Sequence, residues 1–344
     1  MTENKLENKF IQFCVICEIE GNVNADEVVG TRATIKKFIT KEGIYPFVSS
    51  RAIKKGIRAA LEENNFPVDP FHTVYGRGEE KQRGDSGDFV KFVDQDLFGF
   101  MLPTDPPKRR KAPVELSYLV SIFPIPTIVE FGGRFPKNEN PIPFEIEQAK
   151  FIGKFYGNIY NYIGVVHSKE VKEGINFDNK WEKKEDKEVG VYYVDKNRLE
   201  KLKTLLKILL LGNFKLPRST NQLNQGIYRY VVVPLPAFVT VRYQKERAYE
   251  VQKREENGRT IERIVEKVDE GYKLDIEKLK EIKALFEQGE ELYVIDFVGD
   301  LGTSINNEIT VLKPNQVEKE IIEKVDRKIN LEEFGYYLNF YKEE

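Results

Sequence analysis

Tyr45-Pro46-Phe47-Val48-Ser49-Ser50-Arg51-Ala52-Ile53-Lys54-Lys55-Gly56-Ile57-Arg58 runs a short strand directly into a helix. Ser49 or Ser50 caps the helix start, because a side-chain oxygen there accepts from a backbone N–H that has no partner inside the helix. Ile53, Ile57, Ala60 and Leu61 recur at helical spacing and form one apolar face. Arg51, Lys54, Lys55 and Arg58 project from the start and flank of the same helix. Free N–H groups, two hydroxyls and four cations therefore converge where phosphate oxygens bind well. On spacing alone, a solvated amphipathic helix fits the same residues equally well.

Outward from this stretch, residues 10–20 are almost unbroken apolar and read as a strand buried on both faces. Gly21-Asn22-Val23-Asn24-Ala25-Asp26 ends it with turn chemistry. Residues 64–112, with Gly76-Arg77-Gly78, Gly84-Asp85-Ser86-Gly87 and prolines at 103–107, read as a loop-rich insertion. Residues 113–123 and 154–166 are expected strands, the second following a turn-rich stretch at 132–143. Asp195 caps the clearest helix, with Leu199, Leu202, Leu205, Leu206, Leu209 and Leu210 on one face and Gly212 just past its end. Residues 228–243 form the next strand.

Stripped of insertions, the order is strand, helix, strand, strand, helix, strand. That order predicts an α+β fold with the ferredoxin-like arrangement of RNA-recognition domains. The aromatic RNP1 signature is missing, so stacking of bases on the sheet face is not supported. Residues 166–191, with Trp181, read as an exposed hairpin or excursion, and residues 249–267 as a charged hairpin turning at Asn257-Gly258. A helix over 275–286 with a Gly289 stop and a strand over 292–298 precede a helical and aromatic C-terminus.

The chain of 344 residues is long enough for one large domain or two smaller ones. Its 54 Lys+Arg against 56 Asp+Glu leave a net charge of -2, which on its face argues against a nucleic-acid binder. The charges are not evenly mixed. Residues 32–58 carry Arg32, Lys36, Lys37, Lys41, Arg51, Lys54, Lys55 and Arg58 against Glu42 alone, a local +7 suited to phosphates. Residues 79–105 reverse the sign, with seven acids and three bases, and Lys108-Arg109-Arg110-Lys111 restores a positive cluster. This predicts basic and acidic faces on different sides.

Cys14 and Cys17 have no second CxxC to complete a zinc site, and on a strand they point to opposite faces, so they read as core. His72 and His167 are the only histidines, and no GxxxxGK[ST], GxSxG or HExxH motif is present. Gly299-Asp300-Leu301-Gly302-Thr303 fits a turn better than a phosphate cradle. No catalytic residue, metal ligand or cofactor is assigned. No apolar stretch is long enough to span a bilayer and residues 1–9 are too polar for a signal peptide, so a soluble, cytoplasmic protein without membrane partners is expected. A charged fraction of 32% with two Cys and two Met fits a thermophile.

Residues 46–58 resemble the strand, Ser-Ser, basic-helix signature of CRISPR Cascade backbone subunits of the RAMP superfamily. Gly21-Asn22-Val23-Asn24-Ala25 and Thr31-Arg32-Ala33-Thr34-Ile35-Lys36-Lys37 are similar to the DevR branch of type I-B systems. So are Pro113-Val114-Glu115-Leu116-Ser117, the leucine helix, and Pro217-Arg218-Ser219-Thr220-Asn221. The resemblance implies a modified RNA-recognition palm (residues 1–63 and 113–243) with inserted fingers (64–112), a thumb (167–190) and additional helical and strand elements at 244–344. It implies a non-catalytic subunit, copies of which polymerise as a helical filament along a CRISPR guide RNA and present the spacer to target DNA, beside other Cascade subunits. By position, guide contacts fall on Arg32, Lys36, Lys37, Ser49, Ser50, Arg51, Lys54, Lys55, Arg58 and Arg218. Arg51 departs from relatives in which an amide is common there.

Two rival readings follow from related proteins. Type III backbone subunits cut target RNA with a loop aspartate, and Asp26 falls in the expected loop after the first strand. A DevR-type transcriptional or developmental regulator is the other, although no helix-turn-helix with a basic recognition helix is visible.

Overall fold

The computed structural model describes residues 10–21, 25–29, 32–76, 81–88, 91–103, 108–110, 112–137, 139–160, 180–184, 187–193, 198–217, 225–235, 241, 243–246, 249–256, 259–266, 271–286, 291–323 and 337–342. The first half holds β1 (Phe10–Gly21), β2 (Ala25–Val29), β3 (Arg32–Ile35), β4 (Lys37–Thr40), β5 (Gly43–Val48), α1 (Ser50–Glu63), β6 (Thr73–Tyr75), β7 (Gln82–Gly84), α2 (Val93–Phe98), β8 (Phe100–Leu102), β9 (Lys108–Arg110), β10 (Val114–Leu116), β11 (Leu119–Ser121), β12 (Ile128–Arg134) and β13 (Ile142–Tyr160). The second half holds β14 (Lys180–Lys184), β15 (Lys187–Tyr193), α3 (Arg198–Leu211), β16 (Gln225–Val233), β17 (Tyr243–Glu246), β18 (Tyr249–Glu256), β19 (Arg259–Glu266), β20 (Gly271–Leu274), α4 (Ile276–Lys283), β21 (Tyr293–Asp296), β22 (Ser304–Ile305), β23 (Ile309–Leu312) and β24 (Tyr337–Lys342).

The fold is α+β, and its centre has the ferredoxin-like order. β1 lies between β13 and β16 and is antiparallel to both, and β13 pairs antiparallel with β10 and β11 on its other side. α1 precedes β10 and β11, and α3 precedes β16. Two split β-α-β units therefore interleave, which is the strand, helix, strand, strand, helix, strand order read from the sequence. The main path continues from β16 through β21 to β23 and β22 on one side, and from β11 through β5 to β4 on the other.

Strict alternation along β1 divides the interior into two cores. Phe13, Val15, Cys17 and Ile19 face α1 and α3, joining Ile53, Ile57, Leu61, Leu205 and Leu209. Cys14 and Ile16 face the opposite way, toward Tyr230, Leu279, Ile282 and Val294. The two cysteines are buried and free, on opposite faces as their spacing requires. Burial pushes the Cys14 thiol up to about 12 against the lowering influence of Lys154 and Tyr156, and pushes Cys17 higher still. No helix among the described residues is long and apolar enough to cross a membrane.

Several boundaries differ from the sequence reading. The strand expected at 154–166 is β13, which begins at Ile142 and is described to Tyr160; residues 161–166 lie outside the described residues. The stretch at 132–143 contributes strand ends rather than only turns, because Gly132 sits under an aromatic neighbour: a Cβ there would overlap the Phe144 ring. β16 stops at Val233, where Pro234 has no N–H to extend the ladder, and Tyr243 opens a separate strand. The insertion at 64–112 contains α2, whose Val93, Leu97 and Phe98 enter the core. Asp26 lies within β2, which pairs with β3, and not in a loop.

The leucine helix is α3, ending at Gly212 in the left-handed region (φ +68); its expected cap, Asp195, is outside the described residues. Asp275 caps α4 by accepting from the Lys278 N–H at 3.0 Å, but α4 ends at Lys283, and Gly289 is not among the described residues. β18 and β19 form the charged hairpin, with Glu256 opposite Arg259; Asn257 and Gly258 are outside the described residues. β14 and β15 form a hairpin that continues through β24 and β9 to β8. One sheet thus joins residues of the expected thumb, the expected fingers and the C-terminal segment. Residues 167–179, with His167, lie outside the description.

Candidate nucleic-acid interface

α1 starts as its sequence dictates. Ser49 is extended (φ -69, ψ 149) and its hydroxyl accepts from the Ala52 N–H at 3.3 Å. Ala52, Ile53, Gly56, Ile57, Ala60 and Leu61 are buried. Gly56 is required by close packing, since a Cβ there would overlap the Lys215 carbonyl. The first turn has no acidic residue to neutralise the positive end of the helix. Arg51 and Lys55 are exposed and stand one turn apart. Ser50 is the first helical residue and is half-buried.

The rest of the basic stretch is largely committed to internal partners. Arg32 is ion-paired with Glu145, its register partner across the parallel pairing of β3 with β13. Lys37 is ion-paired with Glu147, a buried carboxylate that also accepts from Thr127 Oγ1 at 2.6 Å and from the Ile35 N–H at 3.1 Å. Burial pushes the Glu147 carboxyl up, but the hydrogen bonds from Lys37, Thr127 and Ile35 and the Lys37 charge outweigh it and hold the group below its ordinary value. Lys36 is half-buried, and its carbonyl accepts from the Phe47 N–H at 2.9 Å.

Arg58 Nε donates to Asp94 Oδ2 at 2.9 Å, and Asp94 Oδ1 accepts from the Asp69 N–H at 2.9 Å. The Lys54 ammonium and the Arg58 guanidinium each lie 5.2 Å from the centre of the Phe98 ring. Burial, then the Arg58 charge, lowers the Lys54 pKa against the opposing pull of Glu115. Among the described residues no ion pair engages Lys41, Arg51 or Lys55. Arg218 lies outside the described residues.

The expectation that the acidic and basic stretches occupy different faces is therefore corrected. Arg58 of the basic stretch meets Asp94 of the acidic one inside a single chain, and Asp94 and Asp96 are buried, so neither carboxylate forms part of an exposed acidic face. The sequence shows the signs of these charges; their pairing depends on α2, a helix of six residues with no side-chain cap.

Other sequence candidates resolve simply. His72 is an exposed loop residue. At 299–303 the N–H groups of Val298, Gly299 and Leu301 all donate to the Asp296 carboxylate, at 2.9, 2.7 and 3.0 Å. An aspartate already occupies the donors a phosphate would need, so the turn reading holds. Gly76 is exposed, and residues 77–78 are outside the description.

One group escaped the sequence reading. Phe38, Phe47 and Tyr118 lie in near-parallel orientation, with centroids 4.3 Å (Phe38 to Phe47), 5.2 Å (Phe47 to Tyr118) and 6.4 Å (Phe38 to Tyr118) apart. They come from β4, β5 and the residue before β11, and only the strand register brings them together.

The family model described as "CRISPR-associated negative auto-regulator DevR/Csa2" matches residues 22–242, more than half of the chain. The chain belongs to this family. The DevR/Csa2 match covers β2 to β16 and so includes α1 and its cations. Among solved structures, the chain is similar to a "CRISPR RNA-guided surveillance complex, pre-nicking" at 10% identity and a TM-score of 0.48, covering 92% of this chain and 100% of that one. A second "CRISPR RNA-guided surveillance complex" is similar at 10% identity and a TM-score of 0.47, with the same coverage. No curated protein matches.

Proposed function

We propose that this DevR/Csa2-family chain is a non-catalytic backbone subunit of a type I Cascade complex, of a I-B-like branch within the RAMP superfamily. In this reading the ferredoxin-like centre is the palm, residues 64–112 the fingers and residues 167–190 the thumb. Copies stack along the CRISPR RNA beside other Cascade subunits and present the spacer to target DNA. The observation that carries the reading is the start of α1 within the family match. A capped helix N-terminus without a first-turn acid, followed by Arg51 and Lys55 with no ion pair among the described residues, is built to hold phosphate. Contacts of that kind are sequence-independent and salt-sensitive.

The test is equilibrium binding of the protein to RNAs of unrelated spacer sequence across a salt series. Equal affinities are expected, and a particle mass that grows with RNA length. Replacing Arg51 and Lys55 with Ala lowers the slope of log affinity against log salt by about 0.7 for each phosphate no longer neutralised. Strong preference for one spacer, or a fixed particle mass, sinks the reading. The rival ribonuclease reading rests on Asp26, a residue of β2. Metal-dependent cutting of a guide-paired RNA at regular intervals, abolished in Asp26→Ala, would put this chain with the type III enzymes.

A further inference from the structure

We propose that Phe38, Phe47 and Tyr118 form a stacking platform for unpaired bases of single-stranded RNA. This rests on the guide-RNA reading above and adds a base-directed grip to its phosphate-directed one.

Register sets the platform. Phe38 stands opposite Tyr45, and Val120 opposite Phe47. Val48 and Leu119 are paired with each other and enter the core, so by alternation Phe38, Phe47 and Tyr118 belong to the other face of the sheet. There the interplanar angles are 15°, 13° and 23°. Phe38 keeps 41% of its surface exposed and Tyr118 keeps 48%. Phe38 and Tyr118 each stack on Phe47 and keep part of their surface in water, and stacked rings left partly open offer a surface on which bases stack without regard to sequence.

Charge selects the occupant. Lys41 directly follows the strand that carries Phe38, and Phe47 stands two residues before the Ser49 cap and four before Arg51; neither Lys41 nor Arg51 has an ion-pair partner among the described residues. Aromatic rings interleaved with cations match a single-stranded polyanion carrying bases. An apolar protein surface would draw nothing from those cations.

The experiment compares Phe38→Ala, Tyr118→Ala and their double variant with the wild type. Each is bound to a single-stranded RNA of mixed sequence and to an abasic ribose-phosphate strand of the same length, over a salt series. Circular dichroism and thermal unfolding verify the fold. The double variant is expected to lose affinity for the RNA by about tenfold or more for each base released. Its binding to the abasic strand and its salt slope stay unchanged, and Tyr118→Trp retains wild-type RNA affinity.

Equal losses on the two strands, or no loss on either, overturn the platform. So does a failure to self-associate in the absence of RNA with RNA affinity intact, which would give the patch to a second copy of the chain. If the wild type binds neither strand, the guide-RNA reading fails and the platform with it. If the wild type binds both strands equally and only Arg51 and Lys55 variants weaken it, the guide-RNA reading stands and the platform alone falls.

Discussion

Replacing Arg58 with Ala separates a structural cation from a phosphate ligand. The guanidinium is bonded to Asp94, whose side chain is 3% exposed, while the Arg58 side chain is 33% exposed. Removal leaves a buried carboxylate held, among the described residues, by the Asp69 N–H alone. Breaking a buried ion pair from one side costs about 3–5 kcal/mol, because the remaining charge has no partner but is still buried. Water reaches one side of Arg58, which places this pair near the lower end, about 3 kcal/mol. The attraction between the guanidinium and the Phe98 ring is included in that figure. Urea unfolding should show a lower midpoint with an unchanged slope. Adding Asp94→Asn in the Arg58→Ala background removes the stranded charge and should recover part of the loss. RNA binding by the folded fraction should keep its salt slope. An unchanged unfolding midpoint, together with a salt slope reduced by about 0.7, would refute this reasoning and return Arg58 to the RNA surface.

Glu147 is held below its ordinary carboxyl value of 4.5. Its contribution is therefore fully present above 4.5 and is lost as pH falls through the lower folded value. Unfolding titrations of wild type and Glu147→Gln should differ at neutral pH and converge below that window; a gap that persists in acid would contradict the assignment. Cys14 and Cys17 should resist iodoacetamide at mildly alkaline pH in the folded protein and react once denaturant is added, since burial disfavours both thiolates. Rapid native labelling, read by mass spectrometry, would show that β1 opens locally. Gly157→Ala forces a Cβ into the buried Phe13 ring on the partner strand and should cost about 1–3 kcal/mol in urea unfolding; a neutral result would mean that Phe13 can move aside.

The α+β class and the order of the central elements were legible because each left a local signal. The apolar run of residues 10–20 marked a strand buried on both faces, the serines before Arg51 marked a helix start, and the leucines of α3 marked one broad face. The split of Cys14 and Cys17 between two cores followed from a period of two. What was not legible depended on partners distant in sequence. Glycines at 132–133 resembled a turn because the Phe144 ring that needs Gly132 bare lies on another strand. The commitment of Lys37 to Glu147 spans 110 residues, and no spacing rule connects them. The aromatic group was invisible for the same reason: the expected RNP1 signature is a contiguous motif, whereas these three rings are assembled by register.

β13 holds 19 residues in one unbroken strand, which at about 3.3 Å per residue is roughly 60 Å of continuous extended chain. Its C-terminal part, from Ala149, is paired with β1 and lies in the doubly buried centre. Its N-terminal part is paired with β12 and β3. The strand therefore works as a tie-rod, with no hinge between the two parts. A load applied to residues 142–148 by a neighbouring molecule is transmitted as tension or shear along the backbone to the part opposite β1. To yield, the outer ladder must pull the central register with it. A neighbouring molecule that gripped residues 142–148 would therefore act on the central register as well.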